Sequence, residues 1–160
     1  MFSHRILSIF FALAFLLNIG VKAVQPKAKW LWDARGDRPN NPLYFAKKVD
    51  LASAPKVAKV LFTCDNSCTV FVNGKSIGTS GNWNAAVSAD VKKLLKKGGN
   101  VIAAVAHNAG GPAGFVLQLE VTNADGNRVM IVTDDSWRFV DKDPKDLLGE
   151  ATNWKMEGFP

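Results

Sequence analysis

The chain has 160 residues, and its 20 Lys and Arg against 14 Asp and Glu give a formal charge of +6. That length supplies one hydrophobic core and excludes a multidomain layout. The basic excess is spread along the chain apart from one short run, Lys92-Lys93 and Lys96-Lys97, which offers too few phosphate contacts for a nucleic-acid partner.

Residues 1–23 read as a secretory signal peptide. A charged start at His4 and Arg5 precedes an apolar run from Ile6 to Leu17, and Val21-Lys22-Ala23 fits small-residue cleavage before Val24. The run is well short of the roughly 20 residues needed to span a bilayer, which argues against an uncleaved anchor. Cleavage would lower the formal charge to +4, because Arg5 and Lys22 leave and no acid does. The expected destination is secreted, periplasmic or cell-surface, with no membrane contact after cleavage.

Residues 24–28 read as a linker into a domain spanning 29–140. Trp30-Leu31-Trp32 alternates, so both indoles are expected on one strand face, packed under the core. Asp33 to Pro42 is a loop dense in Gly, Pro, Asn and Asp; its Arg35-Gly36-Asp37 tripeptide is common by chance in polar loops. Leu43–Leu51 and Val57–Cys64 then alternate as strands with one buried face, the second placing Ala58, Val60, Phe62 and Cys64 inward.

Two turn signals follow within a few residues. Asp65-Asn66-Ser67 is an Asx-rich cluster, and Asn73-Gly74 after Val70-Phe71-Val72 is the signal of a type I′ hairpin. Together they predict a meander of antiparallel strands. Cys64 and Cys68 bracket the first turn, and facing residues across a tight antiparallel turn lie about 4.5–5.5 Å apart at Cα, within disulfide range. A disulfide between them is the expectation. Zinc is disfavoured, because His107 is the sole histidine after residue 23 and no second Cys pair exists.

Residues 79–86 form a loop holding Trp83, and Asp90 is placed to cap a short turn that carries the lysine run and stops at Gly98-Gly99. Asn100 to His107 is a continuous apolar stretch, expected as a central strand covered on both faces. The glycine loop 108–114 precedes no helix, so a phosphate-binding role is set aside. Phe115–Thr122 alternates clearly, Asp125-Gly126 marks another hairpin, and Val129–Thr133 and Ser136–Val140 give two further short strands. Residues 141–160 are a polar tail or a truncated final strand. The whole predicts an all-β fold, an antiparallel β-sandwich of jelly-roll form.

The strings VLFTCDNSCTVFVNGKSIG, ADVKKLLKKGGNVIAAVAHNAGGPAGFVLQLEV and DGNRVMIVTDDSWR, with Trp83 between the first two, resemble the galactose-binding-like jelly-roll domain. The version is that of family 2 glycoside hydrolase sugar-binding domains, α-L-rhamnosidase amino-terminal modules and exported planctomycete-type proteins. The resemblance runs over about Lys29 to Val140. It implies a non-catalytic module whose ligand class is carbohydrate, in many relatives a bound structural Ca²⁺, and a structural role for Trp137. The closing TNWKMEGFP is similar to the start of the family's last stretch, cut short.

Sugar recognition needs a flat aromatic for the apolar pyranose face and short amides or carboxylates for hydroxyls. Trp83 between Asn82 and Asn84, with Asp65 and Asn66, fits that need at a loop end. Each has a plainer role: Trp83 as an inward plug under its loop, which is slightly favoured, and Asp65 and Asn66 as turn formers. No Ser-His-Asp order or other acid–base constellation is present, so no catalytic residue is assigned. The rival reading is a structural or protein-interaction module of the same fold, and exposure of Trp83 separates the two.

Overall fold

The computed structural model describes residues 26–33 and 39–141. The expected signal peptide, the Arg35-Gly36-Asp37 tripeptide and the tail beyond Asp141 lie outside the described residues. Nine strands fold in the order β1 (Leu43–Leu51), β2 (Pro55–Asp65), β3 (Ser67–Val72), β4 (Lys75–Ser80), β5 (Val87–Asp90), β6 (Gly98–His107), β7 (Gly114–Asn123), β8 (Arg128–Val132) and β9 (Arg138–Val140). They make two antiparallel sheets, a five-stranded one ordered β4-β3-β6-β1-β9 and a four-stranded one ordered β5-β2-β7-β8. This is the expected β-sandwich.

Strand alternation builds the core between the sheets. Leu43, Phe45, Val49 and Leu51 face Ala58, Val60, Phe62, Leu117, Leu119 and Val121, all buried. Phe115 sits at its centre, with its ring 5.4 Å from Phe45 and edge-on to Trp137 at 5.6 Å. Trp137 also donates its indole N–H to the Val132 carbonyl at 2.8 Å, so it is buried with its polar end satisfied. β6 is interior to its sheet, and a second apolar cluster of Tyr44, Ala46, Phe71, Val101 and Ala103 covers the opposite face, as its unbroken apolar run predicts.

Asn73-Gly74 forms the expected tight hairpin of β3 and β4, with φ of 48° and 81°. Asn73 also ties this end of the sandwich together. Its side-chain amide donates to the Leu94 carbonyl at 2.7 Å and to Asn100 Oδ1 at 2.9 Å, while its own Oδ1 accepts the Val101 N–H. Buried Asn100 in turn donates to the carbonyls of Lys96 and Gly98. Asp90 Oδ1 accepts the Lys92 N–H, fastening the 3₁₀ turn Lys92–Leu94 that presents the lysines to solvent.

The Asp65-Asn66-Ser67 cluster is not a hairpin turn, which corrects the meander reading. β2 ends with Asp65 paired to Gly114 in one sheet, and β3 begins with Ser67 paired to His107 in the other. The chain therefore crosses between sheets at this corner, through a cis peptide between Asp65 and Asn66. Cys64 and Cys68 do not face one another across a ladder, and the expected disulfide is not formed: both are free, buried thiols. They remain neighbours, since both project into the core from opposite sides of the corner. The hydrogen bond with Cys68, then burial, push the Cys64 thiol well above its usual range.

Candidate functional site

The sandwich end that holds this corner carries an open cleft of about 610 Å³ lined by Trp30, Asp65, Trp83, Pro112, Ala113 and Gly114. Four segments distant in sequence meet there. Each is positioned by main-chain hydrogen bonds.

Trp30 comes from a short segment laid along β7. Leu31 exchanges both backbone hydrogen bonds with Phe115 at 2.9 Å, and the Lys29 N–H reaches the Thr133 carbonyl at 2.8 Å. The indole lies on the Gly114 backbone, where a Cβ would stand 2.7 Å from Trp30 Cε3. Trp30 is 53% exposed. Only Trp32 follows the expectation of core packing, with its ring 6.2 Å from Phe45.

Trp83 sits on the loop between β4 and β5 and is 57% exposed, so the inward-plug arrangement is corrected. The loop holds its shape without that indole. Asn82 Oδ1 accepts the Asn84 N–H at 3.2 Å, and the Asn82 carbonyl accepts the Ala85 N–H at 3.1 Å and the buried Thr63 hydroxyl at 2.8 Å. Asn82 is thus a loop former that pins the loop to β2. Asn84 stays exposed on the flank of Trp83 and does not line the cleft.

Among the described residues Asp65 supplies the one acidic side chain of the cleft lining, and no described residue hydrogen-bonds or ion-pairs with its carboxylate. Asn66 does not line the cleft. Its N–H donates to the His107 carbonyl at 3.0 Å and its Oδ1 accepts the Ala109 N–H at 2.6 Å, which locks the corner to the glycine loop. That loop, set aside as a crossover, forms the remaining wall through Pro112, Ala113 and Gly114. Of the five residues singled out from sequence, Asp65 and Trp83 come together in the cleft, while Asn66, Asn82 and Asn84 shape its rims.

The chemistry of this arrangement is that of a non-covalent binding site. Two apolar ring surfaces and one hydrogen-bond-accepting carboxylate line the cleft, and among the described residues no imidazole or second carboxylate joins them. For Ca²⁺, which takes 6–8 oxygen ligands, the described residues gather no group of three or more carboxylate, imidazole or thiol side chains. One carboxylate does not make such a site.

No family model matches the chain. An α-L-rhamnosidase of Streptomyces avermitilis is 29% identical over 130 residues, covering 74% of this chain and 12% of the enzyme. The crystal structure of an α-L-rhamnosidase from the same organism, complexed with L-rhamnose, superposes with a TM-score of 0.74 at 28% identity, covering 83% of this chain and 14% of that one. A lectin from Pleurotus ostreatus in complex with GalNAc gives a TM-score of 0.68 at 27% identity, over 77% of this chain and 37% of the lectin. The chain therefore carries a galactose-binding-like domain, and it spans a small part of the rhamnosidases it matches.

Proposed function

We propose that this chain is an exported, non-catalytic carbohydrate-binding module whose ligand enters the cleft between Trp30 and Trp83. The observation that carries the reading is the meeting of two half-exposed indoles and an unpartnered carboxylate in one cleft. Indole faces match the apolar C–H face of a pyranose, and the Asp65 carboxylate accepts hydrogen bonds from its hydroxyls. Exposure of Trp83 also favours sugar binding over the interaction-module alternative. The site is shallow and buries little ligand, so affinity falls in the micromolar-to-millimolar range.

The relatives support the ligand class. One rhamnosidase structure is complexed with L-rhamnose and the lectin with GalNAc, which makes these two sugars the first probes. Rhamnoside hydrolysis is not carried over, because the match covers 12% of the enzyme. Export through the leader at residues 1–23 belongs to the same proposal.

The test is isothermal titration of the chain with L-rhamnose, N-acetylgalactosamine and a panel of neutral glycans, alongside Trp83→Ala. Saturable binding that the variant loses, with its circular dichroism unchanged, supports the reading. Binding that survives the substitution places the sugar elsewhere.

A further inference from the structure

We propose that the cleft takes an oligosaccharide, with consecutive sugar units resting on Trp83 and Trp30, rather than a single sugar. This rests on the carbohydrate reading above and adds the size of the ligand and the role of Trp30.

Trp30 is built as a fixed platform. Backbone hydrogen bonds hold the chain on either side of it, from Lys29 to Thr133 and from Leu31 to Phe115. The ring is backed by the Gly114 main chain, the one residue type that leaves room for it there. An indole anchored through its neighbours' main chain and still 53% exposed keeps a large apolar surface in water. Scattered exposed apolar residues need no explanation. Trp30 is different because it shares one cleft with a second exposed indole on an independent loop.

The cleft volume supports the same conclusion. The open cleft measures about 610 Å³, a volume in the roughly 300–1,000 Å³ range of small-molecule sites, and it runs along both indoles. A single ring stacked on Trp83 would leave the Trp30 wall wet. Asp65 belongs to that second wall, because its strand partner is Gly114, the residue under the Trp30 ring. A second sugar unit would gain both an apolar face and a hydroxyl acceptor.

The experiment titrates the chain with L-rhamnose and with N-acetylgalactosamine, each as its methyl glycoside and as a disaccharide carrying it at the non-reducing end. At least one disaccharide should bind roughly tenfold more tightly than its monosaccharide, a difference of about 1.4 kcal/mol. Trp30→Ala should bring that disaccharide down to the monosaccharide level, while Trp30→Phe should keep most of the advantage. Equal binding of mono- and disaccharide, or an advantage that survives Trp30→Ala, overturns the proposal while leaving the carbohydrate reading in place. Failure of every sugar to bind overturns both.

Discussion

The Trp30 indole rests on Gly114 so closely that a methyl group there would stand 2.7 Å from the ring. The contact joins the segment before the sandwich to the first residue of β7, and it sets the direction in which the cleft wall faces. Gly114→Ala should therefore displace the indole. We expect a loss of about 1–2 kcal/mol in stability from overpacking, together with a shift in tryptophan emission. Urea unfolding followed by fluorescence reads both.

The Cys64 and Cys68 thiols are buried together at the sheet-crossing corner. In the folded, reduced protein they should react with Ellman's reagent only as fast as the corner opens, because both thiols are buried out of the reagent's reach. Oxidation by a disulfide such as oxidised glutathione should remove two hydrogens from the mass. The resulting short loop should add roughly 2 kcal/mol of stability. Mass spectrometry and denaturant titration of the two forms check this.

Lys47 bridges the sheets by pairing with Asp134 at 3.0 Å. Burial opposes the charge on Asp134, but hydrogen bonds from Ser136 and Lys47 outweigh it and hold the carboxyl below its ordinary value. A lowered folded value means the contribution is complete above the unfolded value of about 3.9 and is lost as pH falls through the folded one. Asp134→Asn should flatten the acid limb of a stability-against-pH curve there. Lys47→Ala should cost roughly 1 kcal/mol at neutral pH.

Asn100 ties the far end of the sandwich through Lys96, Gly98 and Asn73. Replacing it with Ala leaves several buried groups unsatisfied, at a cost of about 2–4 kcal/mol. The site lies at the opposite ends of β3 and β6 from the corner. Sugar affinity at a temperature where the variant stays folded should be unchanged, as titration calorimetry can show.

Much of this architecture is written in local periodicity. The alternation of β7 is visible residue by residue, whereas β1 buries Tyr44 and Ala46 on the face expected to be open, and Asn73-Gly74 announces its hairpin because few other pairs tolerate two positive φ angles. The Asp65-Asn66-Ser67 corner is harder, because an Asx cluster signals a change of direction without saying which strand comes next. Its outcome depends on the pairing of Asp65 with Gly114 and of Ser67 with His107, partners far along the chain that no local pattern names. Trp30 was expected inward for a related reason. A segment held by a single bridge to Phe115 does not inherit the facing of a full strand, and the platform depends on a glycine far along the chain. Trp83 and Asp65 were recognisable because aromatic and acidic residues among turn formers have a chemical use at a loop end.

The central claim concerns which indoles meet the ligand, and the indole N–H signals of the ¹⁵N-labelled chain report on each tryptophan separately. During titration with the tightest-binding glycan of the panel, the signals of Trp30 and Trp83 should move together and saturate, while that of Trp137, buried and bonded to the Val132 carbonyl, stays in place. Stationary Trp30 and Trp83 signals at saturating glycan would contradict a sugar site in this cleft.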